Sequence, residues 1–242
     1  MGKLFELMKE NNLSIESSPQ GTDKGHYHSY IDDFYQHLFN SMSKNPISVF
    51  EIGIQYKASL VLWKLYFPLS YVSGCDIDLS QGTHPLANLM IAANEIYVVE
   101  GDAYSNPELI PGDTDLIIDD GPHTIESQVK ILSLREKLSK DGSLVIEDLG
   151  DGGGPIYCFK KLLESIPKRE RKKSVCIDLS SKKGRWDDAI FIYSNDQELL
   201  DRLKKELRDY HIPNSHVNAR YNVQRFTSKF YSLRKLLLKN TQ

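Results

Sequence analysis

Apolar residues follow two different periods along the chain. Near the start they recur at helical spacing, with Ile31, Phe34, Leu38 and Met42 on one face. Ser29-Tyr30-Ile31-Asp32 reads as a capping box for that helix, with Ser29 as N-cap and Asp32 reaching back. From residue 47 short β-rich runs take over, at 48–52, 71–76, 96–99, 115–118, 143–146, 175–179 and 189–193. Helix-compatible stretches, among them 59–66, 85–93 and 125–138, separate the first five. Continuous apolar runs with helices between them predict parallel strands buried on both faces. The last two runs are joined by residues 180–188 alone, too few for a crossover helix, so that pair is expected to be antiparallel. Asn195-Asp196 can cap a further helix carrying Leu199, Leu200, Leu203 and Leu207.

The expected fold is α/β, seven strands with the last two antiparallel and helices on both faces. Three segments follow: an N-terminal helical or lid segment, 1–46; the main domain, 47–209; and a basic helical extension, 210–242. In that extension Phe226, Phe230, Leu233 and Leu237 line one face, with Lys229, Arg234, Lys235 and Lys239 off it.

At 242 residues the chain can bury a core without staples. Its net charge of −3 argues against a dedicated nucleic-acid binder, which needs an excess of cations. Cys75, Cys158 and Cys176 are too few and too scattered for a disulfide framework or a zinc site, and suit a reducing compartment. No apolar run approaches the roughly 20 residues of a membrane span. The start lacks the apolar core of a signal peptide, and Glu6 stands where a myristoylation signal has Ser or Thr. The expected location is the cytoplasm.

In an open parallel sheet, ligands bind beyond the carboxyl ends of the strands. The first strand ends in Phe50-Glu51-Ile52-Gly53-Ile54, where Gly53 permits close backbone approach. The second ends at Asp76, placed to accept hydrogen bonds from ribose hydroxyls. The third ends Glu100-Gly101-Asp102, where an acid can face an adenine amino group. Turn capping by Asp76 and Asp102 explains either acid equally well alone. The fourth strand ends Ile118-Asp119-Asp120-Gly121-Pro122-His123 and the fifth Ile146-Glu147-Asp148. Side by side, they bring Asp120, Glu147 and Asp148 to one rim. Clustered carboxylates repel unless something cationic sits between them, and hard oxygen ligands suit Mg²⁺ or Mn²⁺. His123, on the same rim, is a candidate general base.

Five parallel strands and an antiparallel pair outline the class I methyltransferase sheet, which is Rossmann-like. The chain resembles the Mg²⁺-dependent macrolide-sugar O-methyltransferases of the mycinamicin and macrocin type. Carrying the resemblance are Gly21-Thr22-Asp23-Lys24-Gly25 with His28 and Tyr30, and Phe50–Ile54 with Ser59-Leu60 and Trp63. Tyr66-Phe67-Pro68, Gly74–Asp78, Ile118–His123 and Val145–Leu149 follow in the family's order over residues 20–195. The resemblance implies S-adenosylmethionine as methyl donor, near Glu51, Gly53, Ile54, Asp76, Asp102 and Asp119. It implies Mg²⁺ on Asp120, Glu147 and Asp148, His123 as base, and a sugar hydroxyl as acceptor. The Thr22-Asp23-Lys24 loop, with His28 and Tyr30, would close over donor or acceptor. Self-association as a homo-oligomer is compatible with these features.

Gln55-Tyr56-Lys57-Ala58 departs from the family, which places more glycines here. Lys57 reads either as a partner for the donor's carboxylate or as a surface lysine on a helix's first turn. Trp186-Asp187-Asp188 closes the antiparallel turn, where it could contact an acceptor; a packed turn tryptophan is the simpler reading. Alternatives are transfer to a small amine or a phosphate-bearing metabolite, and a non-catalytic descendant. A nicotinamide-dependent oxidoreductase would need a G-x-G-x-x-G turn that residues 53–58 do not supply.

Overall fold

The computed structural model describes residues 2–42, 46–217 and 221. The seven strands form close to the expected positions: β1 Ser48–Ile52, β2 Tyr71–Asp76, β3 Ile96–Glu100, β4 Thr114–Asp119, β5 Leu138–Ile146, β6 Ser174–Asp178 and β7 Ala189–Ser194. An eighth, β8 at His211–Ile212, corrects the expected count of seven. Two paired residues carry no period, so no hydrophobic pattern could announce them. The sheet runs β3-β2-β1-β4-β5-β7-β6-β8. β1 through β5 pair in parallel, while β7 runs antiparallel to both β5 and β6. Strand order reverses between β1 and β4, the point at which such sheets leave a crevice.

Side chains alternate across the sheet with the period of two that pleating imposes. Val49, Val72, Leu116, Ile118, Val145 and Ile192 face one helical layer. That layer contains α1 (Lys3–Glu10), α2 (Gln36–Ser41), α3 (Ala58–Tyr66), α4 (Pro85–Ala92) and, further along the chain, α8 (Gln197–Glu206). Phe50, Ile52, Ile117, Leu144, Ile146 and Phe191 face the other layer, of α5 (Ile125–Ile131) and α6 (Pro155–Ser165). A short α7, Ser180–Lys183, lies between β6 and β7. The N-terminal segment shares the first core: Leu4, Met8, Tyr30, Phe34 and Tyr35 are buried in it. Asp196 caps α8 as expected, accepting from the Leu199 N–H at 3.0 Å.

The capping box does not form. The chain enters α2 through a π-helical turn at Ile31–Tyr35. The Ser29 N–H donates to the Asp188 carboxylate at 3.2 Å, and Asp32 accepts from the Gly2 N–H. Asp188 is fully buried, and a carboxylate taken out of water needs hydrogen-bond donors. No described helix is long and apolar enough to cross a membrane. The helix expected at Phe226, Phe230, Leu233 and Leu237 lies outside the described residues.

The strand ends are stitched together beyond the ladders. The Asp120 N–H donates to the Ile52 carbonyl at 2.9 Å, and the Glu147 N–H to the Asp119 carbonyl at 3.0 Å. Gly53 sits at φ +81°, and a Cβ there would lie 1.9 Å from the Asp120 carbonyl oxygen. The space of its absent side chain is taken by the protein's own backbone. Gly53→Ala should therefore destabilise the fold by more than about 3 kcal/mol, combining backbone strain with a clash against fixed backbone. Urea denaturation followed by circular dichroism measures this.

Candidate functional site

A cavity of about 520 Å³ opens at the carboxyl ends of the parallel strands. Gly53 and Gln55 after β1, Asp76 ending β2, and Asp102 and Tyr104 after β3 line one side. Asp120, His123, Asp148 and Asp23 line the other. The cavity lies at the switch point between β1 and β4, where the sheet geometry directs ligands.

On the first side the acids also organise turns. Asp76 Oδ2 accepts from the Gln55 N–H at 2.8 Å, and its Oδ1 from the Asp78 N–H at 3.2 Å. Asp102 accepts from the Ser105 hydroxyl at 2.6 Å and the Tyr104 N–H at 2.9 Å, and the Ser105 bond holds its carboxyl below the usual range. Both acids therefore cap turns and line the cavity at once. Asp119 is buried behind the wall, where it accepts the Tyr104 hydroxyl. Burial pushes its carboxyl up to about 6.

On the second side Asp120, His123 and Asp148 offer donor atoms that all lie within 4.8 Å of one another. His123 Nε2 is 3.7 Å from Asp120 Oδ1 and 3.6 Å from Asp148 Oδ2. His123 and Asp148 both sit at φ +54°, a left-handed conformation that His and Asp enter more readily than most side chains. The two carboxylate oxygens suit a hard divalent cation such as Mg²⁺ or Mn²⁺, while the imidazole nitrogen beside them is a softer donor.

Glu147 stands behind this rim and is only 1% exposed. Its Oε1 accepts the Tyr35 hydroxyl and its Oε2 the Lys24 ammonium. Lys24 is likewise 1% exposed, and its Nζ lies 2.6 Å from Asp120 Oδ2 and 3.4 Å from Glu51 Oε1. Burial alone would push this ammonium down. Asp120, Glu147 and Glu51 outweigh that and hold it well above its ordinary value, so it is a cation at neutral pH. Glu51 is fully buried and takes the Trp63 indole N–H at 2.8 Å on its other oxygen. Neither Glu51 nor Ile54 lines the main cavity; Ile54 lines an adjoining void of about 60 Å³ that shares Asp23, Gly53, Gln55 and Asp120 with it.

Of the expected lid residues, Thr22, Lys24, His28 and Tyr30 are packed, while Asp23 lines the cavity. Thr22 bridges to Ser14, and its Oγ1 accepts from the Lys24 N–H at 3.4 Å. The Tyr30 hydroxyl donates to Asp148 Oδ1 at 2.5 Å and stacks its ring on His28. His28 is buried, with Nδ1 3.3 Å from Asp148 Oδ1 and 3.6 Å from Asp188 Oδ1. Burial alone would lower the His28 pKa; the neighbouring Asp188 and Asp148 carboxylates raise it instead. Lys183 Nζ donates to the carbonyls of Gly25, His26 and His28 at 2.7–2.9 Å, fastening this loop to the β6–β7 connection.

Two readings of single residues are corrected. Lys57 is neither a surface lysine nor a cavity residue. At 2% exposure it donates to the carbonyls of Leu79 and Gly82, which draw it away from the cavity. Trp186 is 63% exposed rather than packed. One edge of its ring lies over Gly150, where a Cβ would meet Cζ3 at 2.3 Å. Sequence reasoning did not find Tyr35 or Tyr104, and it met Asp188 only as part of the turn at 186–188. Tyr35 acts through Glu147, while Tyr104 lines the cavity and donates to Asp119.

No family model matches the sequence, and no curated protein matches it either. Among solved structures, the chain is similar to a protein from Corynebacterium glutamicum described as a spermidine synthase. The TM-score is 0.51 at 15% identity, over 80% of this chain and 76% of that one. It is similar also to a protein from Staphylococcus aureus described as a caffeoyl-CoA O-methyltransferase, with TM-score 0.50 at 15% identity over 79% and 96%. The fold shared with these structures is a Rossmann-like α/β sheet. A mycinamicin-pathway methyltransferase, MycE, solved with Mg and S-adenosylhomocysteine, aligns at 22% identity over 81% of this chain and 50% of that one, with TM-score 0.43.

Tyr35 tests how the buried half of this fold-defining cluster is held. Burial and the Glu147 charge raise its phenol pKa well above normal, keeping it a donor. Tyr35→Phe leaves a buried carboxylate oxygen without its partner, and should cost about 1.5–3 kcal/mol in denaturant unfolding.

Proposed function

We propose that the chain is an S-adenosylmethionine-dependent O-methyltransferase with a divalent cation, Mg²⁺ or Mn²⁺, acting on a hydroxyl of a sugar or glycosylated small molecule. The observation that carries this reading is a single cavity with two chemically distinct ends. Asp76 and Asp102 stand where ribose and adenine polar groups would be recognised. Asp120, His123 and Asp148 stand opposite, where an acceptor hydroxyl would be held and deprotonated. The sequence resemblance to macrolide-sugar O-methyltransferases supports the choice of acceptor.

S-adenosylmethionine supplies a methyl already activated by its sulfonium, and the cation lowers the pKa of a hydroxyl it touches. The protein has then to align and to move one proton. Gln55 does not close the cavity, and Lys57 is turned out of it, so the unusual turn leaves the donor side open. Asp120 and Asp148 would hold the cation. Glu147 could join them only by releasing Lys24 or Tyr35. His123 is the base of this scheme: its Nε2 stands on the cavity wall, 3.7 Å from Asp120 Oδ1 and 3.6 Å from Asp148 Oδ2. Alignment in the cavity supplies the larger share of rate, on the order of 7–11 kcal/mol for well-placed reactants.

Calorimetric titration with S-adenosylhomocysteine tests the donor assignment, and micromolar binding is expected. No binding, with or without Mg²⁺, would leave the methyltransferase reading without its cofactor. In the same assay His123→Ala should keep that affinity while kcat falls by about 10²–10⁴-fold.

Trp186 presents an open aromatic face on the loop that precedes Asp187. The Asp187 carbonyl lies 3.4 Å from the same Tyr30 hydroxyl that binds Asp148. A sugar ring could stack there with its hydroxyls toward the rim. Trp186→Ala should raise the acceptor KM roughly two- to tenfold, as loss of one aromatic contact does, with S-adenosylhomocysteine affinity unchanged.

A further inference from the structure

Asp120 divides its two oxygens between two neighbourhoods. Oδ2 lies 2.6 Å from Lys24 Nζ, in the buried pocket with Glu51 and Glu147. Oδ1 faces His123 Nε2 at 3.7 Å, on the cavity wall. The inner pocket holds three carboxylates and one ammonium. Glu51 Oε1 has no hydrogen-bond partner there, and its nearest cation is Nζ at 3.4 Å. The loop bearing Lys24 is secured without that ammonium. The Lys24 carbonyl accepts from the Tyr30 N–H at 3.1 Å, and Lys183 clamps three neighbouring carbonyls. Anchoring the loop therefore leaves the placement of Nζ unexplained.

We propose that Lys24 is a positioning residue whose ammonium fills the inner of two cation positions in the carboxylate cluster. By holding Oδ2 it turns Asp120 so that Oδ1 faces the outer position shared with His123 and Asp148. The outer position rests on the cation reading above; the inner one does not. The chemistry is that of a tethered monovalent cation. It offsets buried carboxylates permanently, in a pocket that would otherwise attract a hard divalent ion. A lysine suits this better than arginine, since a compact point charge can meet three carboxylates from three directions.

The test counts Mn²⁺ on the full chain by electron paramagnetic resonance, with the metal alone as probe. Lys24→Met replaces the ammonium with a neutral chain of similar length. The variant is expected to bind one Mn²⁺ per chain more than wild type, and to gain a melting temperature that rises with added Mn²⁺. Equal counts in two folded proteins would overturn the proposal and leave Lys24 as a loop anchor. The wild-type count decides the cation reading separately, because this proposal is read from the difference. Should Lys24→Met fail to fold, Glu147→Gln is compared with the double variant Lys24→Met/Glu147→Gln, in which the lost charges match. At least a tenfold weaker Mn²⁺ affinity in the double variant supports positioning of Asp120; equal affinity overturns it.

Discussion

The site is built around one buried ion cluster. The Lys24 ammonium sits among Glu51, Asp120 and Glu147, and all but Asp120 are nearly sealed from water. Removing charges from water is costly, and an unpaired buried carboxylate would take up a proton or draw in water. The pairing therefore ties three strand ends and the N-terminal loop into one unit. Glu51 comes from β1, Asp120 from the end of β4 and Glu147 from the end of β5. None of these carboxylates can move independently while the ammonium remains.

Backbone geometry works to the same end. Hydrogen bonds from Asp120 to Ile52 and from Glu147 to Asp119 extend the sheet past its ladders. Gly53 lets the turn after β1 lie directly on the Asp120 carbonyl. The rim residues His123 and Asp148 are then held in left-handed conformations that the surrounding contacts, among them the Tyr30 hydroxyl on Asp148, impose.

Much of the sheet was legible because its signals are local. Continuous apolar runs mark the parallel strands, and the short 180–188 connection marks the antiparallel pair. Asp76, Asp102, Asp120, His123 and Asp148 could be placed on the cavity because strand ends in such sheets point there. The partners of those acids could not be read in the same way. Lys24 meets Asp120 across 96 residues and Glu147 across 123, distances over which no periodicity extends. The same limit explains Ser29, whose local pattern spells a cap but whose N–H is taken by Asp188, 159 residues away. Lys57 and Trp186 were misread because their surroundings come from neighbouring turns: the Leu79–Gly82 carbonyls draw the lysine in, while Gly150 supports one edge of the indole and leaves its face open.

The N-terminal segment belongs to the site as much as the sheet does. Lys24, His28, Tyr30 and Tyr35 reach carboxylates at or behind the rim, and the core beneath them is continuous with that of the sheet. Their charges and hydroxyls explain how so many acids coexist in a small volume. Inner acids are paired with an ammonium or accept phenol hydrogen bonds. The outer pair, Asp120 Oδ1 and Asp148 Oδ2, is left facing an imidazole across the cavity wall. The ammonium offsets part of the inner charge, and the outer pair lines the cavity. Burying unpaired acids elsewhere in the fold would bring the same desolvation cost with no ligand to offset it.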